Sequence, residues 1–431
     1  MEKKFEGKKI LFLGSNVGTS DMIKYAQANG AYTIVADFLP VEKSFGKQIS
    51  DDNVLLSTGD LEGLKKYIKE NDVDGILAGV SEFNLINAMT LCRYFGFPFY
   101  CTKEQWDKIE NKEQFRNLCI EYGIPCPHTF FIGEDLLSDD FQRIKYPVIV
   151  KPVDGSASIG ITICRDESTL VPAIKIAKRS SESGKIIIEE YAEGEEFAAH
   201  YTIANGNVSL SSVDNRVPVA VHDGDVTTIP VARVYPSKFI NQYIKQVNPQ
   251  MIRLCQSLGI NTGILFVQGL YNKNSDSFYI FEAGLRCAGE APYRLIERVN
   301  GISFINNLVD FALLGKAMDF DSSKEDPFFK GKVCCVTSLV SRGGRVGMIK
   351  GLERAQSLRS VVDSECRYHE GDETPNGNTL RQIMIRFVLI CESLEQLVSD
   401  VEYINNSVKV LDEEGQNMCL TFDARSYFNM V

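Results

Sequence analysis

The sequence predicts a multidomain protein that combines α/β and α+β folds. Over roughly the first 100 residues, short apolar runs alternate with helical patterns, as they do in a doubly wound parallel sheet. Between residues 146 and 286, apolar runs are joined by glycine-rich or polar turns, which is typical of hairpins. Residues 332–431 alternate short strands, a turn at Gly343 and Gly344, and one helix. A chain of 431 residues is long enough for roughly two to four domains.

The composition argues against several classes of function. The formal net charge is −11 and no basic run stands out, so we expect no nucleic-acid partner. No apolar stretch approaches the length of a membrane span, and the N-terminus lacks the apolar core of a signal peptide. We therefore expect a cytoplasmic protein with no membrane partner. The 12 cysteines contain no Cys-x-x-Cys pair and are expected to be reduced thiols.

The N-terminal sheet is predicted from four apolar runs. These strands are placed at residues 9–14, 32–37, 74–79 and 97–101. Helices are predicted between the first two strands, at 61–71 with Asp60 as N-cap, and at 84–95. Glu82 follows the third predicted strand, at the edge where doubly wound sheets bind ligands. It could hold the ammonium group of an amino acid, and it could as easily cap the next helix.

A helix with well-marked ends follows the N-terminal domain. Asn111 is a favourable N-cap, Gln114 completes a capping box, and Gly123 ends the helix before Pro125. Lys112 then lies in the first turn, where a cation is unfavourable unless an anion shares the site. Lys112 is therefore either an exposed first-turn lysine or part of an anion-binding site.

Two further segments have features of a nucleotide site. A loop rich in glycine and serine, 154–160, connects predicted strands and could lie over phosphates, although its spacing is not that of a P-loop. Lys151 at the end of the preceding strand favours this interpretation over an ordinary turn. The apolar strand within residues 185–194 could present carbonyl groups to adenine, and Glu196 could hold a ribose. A solvated acidic turn is the alternative.

The most informative segment is a predicted hairpin between residues 263 and 286. If it folds about Ser275, Gln268 and Glu282 face each other with Cβ atoms about 4.5–5.5 Å apart. Arg286 lies four residues beyond Glu282. A carboxylate, an amide oxygen and a guanidinium at one place suit a hard cation that bridges phosphates. On its own, the segment is also compatible with an ordinary hairpin whose polar residues are solvated.

The order and spacing of these segments resemble those of the ATP-grasp ligases, in the branch of carbamoyl-phosphate synthetase and biotin carboxylase. The resemblance covers almost the whole chain. It implies three domains: a Rossmann-like domain at 1–108, an ATP-grasp domain at 109–320 with subdomains 109–190 and 191–320, and a small α+β C-terminal domain at 330–431. In the synthetase branch an asparagine usually lies two residues after the metal-binding glutamate. Gly284 occupies that position here, which places a second metal ligand in doubt.

The resemblance also implies roles for single residues. The implied ATP contacts are Lys112, Lys151, Gly155, Ser156, Ser158, Gly160, Glu189, Glu190, Ala192 and Glu196. The implied ligands of Mg²⁺, or of Mn²⁺ in its place, are Gln268 and Glu282. The implied catalytic residues are Lys151, Glu282 and Arg286. The acceptor site should lie between the N-terminal loops and the central hairpin, with candidate contacts Ser15, Gly18, Glu82, Arg216, Arg233 and Arg294. Several arginines suggest a carboxylate or phosphate on the substrate.

The implied activity joins a small-molecule carboxylic acid, for which an amino acid is one candidate, to an amine through an acyl-phosphate. ADP and phosphate are released, and a homodimer is compatible with this interpretation. Two alternatives stay open. One is a nucleotide-binding regulator that has lost catalysis. The other is an NAD(P)-dependent enzyme, because Gly14, Gly18 and Asp37 lie near the places of a dinucleotide fingerprint, although the glycine spacing differs from it.

Overall fold

The computed structural model describes residues 3–15, 17–154, 159–221, 228–289, 291–316, 320–377 and 379–430. Three larger sheets follow one another along the chain: one parallel sheet of four strands, one antiparallel sheet of four and one of nine. Within the described ranges, no helix combines the length and apolarity that a membrane crossing requires.

The N-terminal domain is the doubly wound sheet that the sequence predicts. Its strands are β1 (Lys9–Leu13), β2 (Tyr32–Asp37), β3 (Asp52–Leu55) and β4 (Gly75–Ala78), in the order β3-β2-β1-β4. Its helices are α1 (Val17–Ala28), α2 (Phe45–Ile49), α3 (Leu61–Glu70) and α4 (Glu82–Phe95). The predicted N-cap of α3 is confirmed, because the Asp60 side chain accepts from the Gly63 N–H at 3.0 Å.

The prediction of a strand at residues 97–101 is wrong. This segment has no regular structure, and its Tyr100 hydroxyl donates to the carbonyl oxygen of Leu285 at 2.9 Å. Its apolar side chains pack between domains, and such packing produces the same short apolar run as a buried strand. Strand β3 was not predicted because it is short and only partly buried.

Two consecutive helices connect the N-terminal domain to the centre of the molecule, namely α5 (Lys103–Glu110) and α6 (Lys112–Tyr122). The side chain of Asn111 caps α6 by accepting from the Gln114 N–H at 3.1 Å, which is one half of the predicted capping box. Gly123 ends the helix in the left-handed conformation at φ 66°, as predicted.

The next sheet has the order β5-β8-β6-β7 and is antiparallel. Its elements are β5 (Thr129–Gly133), α7 (Ser138–Arg143), β6 (Val148–Pro152), β7 (Thr162–Cys164), α8 (Glu167–Ser180) and β8 (Ile186–Glu190). The predicted hairpin is confirmed, since β6 pairs with β7 on either side of the glycine-rich loop.

The nine-stranded sheet forms the centre of the molecule. Its first part contains β9 (Glu195–Ala204), β10 (Asn207–Val219), β11 (Ile229–Tyr235), β12 (Thr262–Asn272) and β13 (Ser277–Gly284). The helices of this part are α9 (Ile240–Gln246), α10 (Asn248–Ser257), α11 (Tyr293–Asn300) and α12 (Phe304–Leu314), and α12 packs against α1 and β4.

Four of the remaining strands extend the same sheet beyond residue 320, where the predicted ATP-grasp domain ends. The order β13-β12-β9-β10-β11-β14-β19-β17, with β21 beside β14, joins the central part to the C-terminal part without a break. The strands of this sheet are β14 (Val333–Ser341), β17 (Val361–Cys366), β19 (Ile383–Cys391) and β21 (Cys419–Leu420). Two separate two-stranded sheets pair β15 (Gly344–Arg345) with β18 (Glu373–Thr374) and β16 (Met348–Lys350) with β20 (Lys409–Leu411). The helices are α13 (Leu352–Gln356), α14 (Leu394–Ser407) and α15 (Ala424–Tyr427).

The two faces of the central sheet differ in polarity. Side chains alternate between the faces of a strand, so Phe197 and Tyr201 lie together on one face and pack against Tyr243 of α9. On the opposite face, the register aligns Glu282, Gln268 and Asp214 in one row across β13, β12 and β10. The apolar face fixes the sheet in the core. On the polar face Asp214 is buried, whereas the half-buried Gln268 and Glu282 are available for a site.

Candidate active site

The hairpin of β12 and β13 forms as predicted and brings its polar residues together. The register pairs Gln268 directly with Glu282 across the turn of residues 273–276, and both side chains are half-buried. Arg286 follows the end of β13, and its guanidinium carbon lies 4.7 Å from the centre of the Phe266 ring. An amide, a carboxylate and a guanidinium therefore lie at one end of the sheet.

Arg286 is bound by a residue of the N-terminal domain. Its Nε and Nη2 atoms donate to Oε1 of Glu82 at 3.1 and 2.7 Å. Burial alone would lower the pKa of the guanidinium, but Glu110 and Glu82 raise it. Ser81 is the N-cap of α4, so Glu82 does not have that role. The proposed binding of an ammonium group by Glu82 stays a prediction.

The structure brings the three N-terminal candidates, Ser15, Gly18 and Glu82, to the same edge of the parallel sheet. Ser15 follows β1, Gly18 is in the first turn of α1, and Glu82 follows β4, which is the neighbour of β1. The Ser15 hydroxyl oxygen accepts from the Gly46 N–H at 2.6 Å. This edge therefore faces the central hairpin through the ion pair between Glu82 and Arg286.

Arg216 lies beside another predicted site residue. It forms an ion pair with Glu196, which is on the adjacent strand, and its Nη2 donates to the Thr228 carbonyl at 2.9 Å. The predicted ribose contact and a predicted substrate contact are thus bonded to each other. A ligand that used both residues would have to share or replace this ion pair.

The other two arginines have internal partners. Arg233 is buried, and its Nη1 donates to Oδ1 of Asp214 at 2.8 Å. Arg294 contacts Asp21 of α1 at 2.9 Å and Asp363 of β17 at 2.8 Å. Arg294 therefore connects the first and last parts of the chain, which is a structural function that the sequence did not reveal.

Glu189 is buried between two cationic side chains. Its carboxylate is fully buried, and it accepts from Arg116 Nε at 2.7 Å and lies 2.6 Å from Lys151 Nζ. Burial would raise the pKa of Glu189, but Lys151 and Arg116 hold it below its ordinary value. The contact of Glu189 with adenine stays a prediction, and the carboxylate pairs with Lys151 in this structure. Arg116 was missed, although it lies one helical turn after Lys112.

Lys112 is part of a charged cluster and is not an exposed first-turn lysine. Its side chain is half-buried, and its backbone N–H donates to the Val153 carbonyl at 3.1 Å, just after β6. Burial lowers its pKa, and Glu282 counteracts this effect while Lys151 adds to it. The cations of α6 and β6 thus lie near the carboxylate of β13, as an anion-binding site requires.

The remaining predicted ATP contacts are only partly described. Gly155, Ser156 and Ser158 lie outside the described residues. Gly160 has a φ of 78°, and a Cβ there would lie 2.6 Å from Cβ of Ser180, so the position favours glycine. The Glu190 side chain accepts from the His128 N–H at 2.9 Å, and Ala192 is half-buried in the segment between β8 and β9.

Glu110, which the sequence analysis did not identify, completes the cluster. Its Oε1 accepts from the Leu285 N–H at 3.2 Å. An ideal Cβ at Gly284 would lie 2.9 Å from this oxygen and 2.3 Å from Cε1 of Phe266. Glycine at position 284 therefore makes room for a carboxylate and an aromatic ring. A signal was present, because an acidic residue in the last turn of a helix opposes the helix dipole.

The residues that could hold a divalent cation are Gln268 and Glu282. Their amide and carboxylate oxygens are hard donors that suit Mg²⁺. Across the part of the chain that the structure describes, no three histidine, cysteine, aspartate or glutamate side chains form a metal-binding group. The donor set thus fits a cation that takes its other ligands from phosphates and water.

Residues 144–292 match the family model of the ATP-grasp domain. The chain contains an ATP-grasp domain. It is 24% identical over 287 residues to the carbamoyl phosphate synthase large chain of Clostridium beijerinckii. That match covers 64% of this chain and 24% of the relative, so the chain spans about a quarter of the relative's length.

Two solved structures extend the similarity over nearly the whole chain. The L-amino acid ligase of Bacillus licheniformis has a TM-score of 0.76 at 17% identity, with 95% of this chain and 99% of that chain covered. The biotin carboxylase domain of Hydrogenobacter thermophilus 2-oxoglutarate carboxylase has a TM-score of 0.75 at 14% identity, with 94% and 90% covered. The ATP-grasp domain is thus embedded in a fold that both structures share, from the N-terminal sheet to the C-terminal strands.

Proposed function

We propose that the chain is an ATP-dependent ligase that joins a small-molecule carboxylic acid to an amine through an acyl-phosphate, releasing ADP and phosphate. The observation that supports this most strongly is the cross-strand pair of Gln268 and Glu282 beside Arg286. A carboxylate is a poor electrophile, and phosphoryl transfer to it needs mainly positioning and neutralisation of charge. The cluster provides both.

In this proposal ATP lies between the two antiparallel sheets. Lys112 and Lys151 pair with phosphate oxygens, and the buried carboxylate of Glu189 keeps Lys151 in place. The backbone from Glu190 to Ala192 contacts the adenine. Glu196 binds the ribose, and this contact competes with the ion pair between Glu196 and Arg216.

Gln268 and Glu282 would hold Mg²⁺, or Mn²⁺ in its place, and the cation would neutralise negative charge on the bridging phosphates. Arg286 is fixed by Glu82 at one side and faces Glu110 at the other. A guanidinium held in this way can stabilise the oxyanion that forms when the amine attacks the acyl carbon, without moving during the reaction.

The names of similar proteins support the choice of substrates. One neighbour is an L-amino acid ligase, and the carboxylase domain was solved with MgADP and bicarbonate, as a dimer. We therefore include an amino acid among the candidate acids and a homodimer as the assembly. The acidic edge around Glu82 suits an ammonium group, which favours an amino acid or another primary amine over a neutral nucleophile.

The test measures ADP release by the purified full chain with pooled carboxylic acids, including amino acids, in the presence of Mg²⁺. Hydroxylamine serves as a general nucleophile, because it converts acyl-phosphates into coloured hydroxamates. Acid-dependent ADP and hydroxamate in the wild type, both lost in Glu282→Gln, would support the proposal. ATP binding without turnover for any acid would favour a regulator, and stabilisation by NADH but not by ATP would favour the nicotinamide alternative.

A further inference from the structure

Glu110 reaches from the linker between two domains into the proposed acceptor site. It is the last residue of α5, and its Oε1 accepts from the Leu285 N–H at 3.2 Å, one residue before Arg286. Its second oxygen, Oε2, has no hydrogen-bond partner among the described residues, and the side chain is only half-buried. One carboxylate oxygen is thus used to fix the group, and the other is available to a ligand.

The charges around Glu110 favour a cationic ligand. Glu82 and Glu110 carry two negative charges when ionised, and Arg286 between them carries one positive charge, so the group has an excess of one negative charge. Burial raises the pKa of Glu110 to about 8, Arg286 opposes this increase, and Glu82 and Glu282 add to it. The groups that face Glu110 from neighbouring elements are Glu82, Tyr100, Cys101, Lys112, Glu282 and Arg286.

An amine substrate needs a base before it can react. At neutral pH a primary amine is an ammonium ion with no lone pair, so it must lose a proton before it attacks the acyl carbon. A base that does this works best when its pKa is near the working pH. Glu82 is less suited to this task, because its Oε1 already accepts two hydrogen bonds from Arg286.

We propose that Glu110 is the catalytic base of the reaction: its Oε2 holds the ammonium group of the amine substrate and accepts one proton from it. This inference rests on the ligase function proposed above. The neutral amine then forms the bond to the acyl carbon, and the oxyanion beside Arg286 collapses with cleavage of the bond to phosphate. The second proton leaves the nitrogen with the departing phosphate, and Glu110 releases its proton to solvent.

The experiment compares two nucleophiles that differ in their need for a base. Hydroxylamine is already neutral at pH 7, whereas ammonium and amino acids are protonated there. The wild type, Glu110→Gln and Glu104→Gln are assayed with the acid that gives the strongest hydroxamate signal, with hydroxylamine or with ammonium chloride plus mixed amino acids. Glu104 is the matched control, because it lies on the same helix and pairs with Lys108 at the surface. Glutamine can still accept from the Leu285 N–H.

We expect Glu110→Gln to form hydroxamate within about threefold of the wild-type rate and to lose about 100-fold in amide formation with the protonated amines. Glu104→Gln should match the wild type in both. Glu110→Asp should keep part of the amide reaction, since it keeps an ionisable group. In the wild type, amide formation should rise with pH as Glu110 ionises, and hydroxamate formation should lack this rise.

Two results would overturn the inference while the ligase function stands. One is amide formation by folded Glu110→Gln at nearly the wild-type rate. The other is an equal loss with both nucleophiles, which would assign Glu110 a structural role only. If the wild type gives neither hydroxamate nor acid-dependent ADP, the ligase function itself fails and the inference fails with it.

Discussion

The Nη2 atom of Arg286 lies 2.7 Å from Oε1 of Glu82, although 204 positions separate the two residues in the sequence. The contact joins the ligand-binding edge of the N-terminal sheet to the end of the central hairpin. A residue of the N-terminal domain therefore fixes the position of Arg286, which is proposed to stabilise the oxyanion.

Replacement of Glu82 by glutamine should lower kcat about tenfold, which corresponds to a loss of about 1.4 kcal/mol in transition-state stabilisation. The guanidinium would lose its ionic partner and its fixed position, while the residues around ATP would not change. KM for ATP should thus stay near the wild-type value. Glu62→Gln is the control, since Glu62 is also in the first turn of a helix but pairs with Lys65 at the surface. A raised KM for ATP with unchanged kcat would contradict this expectation.

Glu189→Gln should destabilise the fold by about 3–5 kcal/mol, because Arg116 would remain buried without its anionic partner. The side chains of Arg116 and Glu189 are 1% and 0% exposed. The pKa of Glu189 is lowered in the folded state, so its stabilising effect is present above the ordinary pKa of a glutamate and is lost as the pH falls below it. Urea unfolding at pH 7 and at acidic pH measures both effects, with the exposed Glu193→Gln as control.

Gly284→Ala should lower the free energy of unfolding by about 1–3 kcal/mol, because its Cβ would overlap the Phe266 ring and Glu110. The same clash rules out asparagine at this position as a simple way of adding a metal ligand. Gly289→Ala is the control, because among the described residues the nearest atom to its Cβ would be Cδ1 of Leu380 at 3.8 Å. Equal melting temperatures for the two variants would show that the strand end can shift without cost.

Glu110→Gln should raise the melting temperature at high pH. The pKa of Glu110 is about 8 in the folded protein, against 4.5 as the ordinary value, so the folded state binds the extra proton between these limits. Folding stability therefore falls as the pH rises through this window, and the neutral glutamine avoids the loss. We expect the melting temperature of Glu110→Gln to exceed that of the wild type by about 2–4 °C at pH 8.5, which is equivalent to about 1 kcal/mol, and to equal it at pH 4. A gain of the same size at both pH values would exclude proton linkage as the cause.

The parts of the fold that were predicted correctly depend on short-range signals. The Asp60 and Asn111 caps follow from residue preference at helix starts, and the hairpin follows from strand alternation about one turn. The Gln268–Glu282 pair depends on one more feature. Near the turn Asn272 pairs with Ser277, and a shift in register between Gln268 and Gly269 then brings Glu282 opposite Gln268.

The parts that were missed depend on contacts between distant segments. Glu189 and Glu190 are neighbours, and only the pairing of β8 with β6 decides which carboxylate enters the core beside Lys151. Glu110 and Arg286 meet because two domains pack together, and no local pattern encodes this. The internal partners of Arg233 and Arg294 could not be read from the chain for the same reason.

The continuity of the nine-stranded sheet has a consequence for how this chain can be cut. Strand β11 pairs with β10 on one side and with β14 on the other, so removal of the residues after position 330 would leave one edge of the buried strand β11 unpaired, at residues 232–235. Such an edge associates with other chains. A fragment that ends at the predicted boundary should therefore aggregate when expressed alone, and an exchange of C-terminal regions between relatives would succeed only if the joint lay outside this sheet.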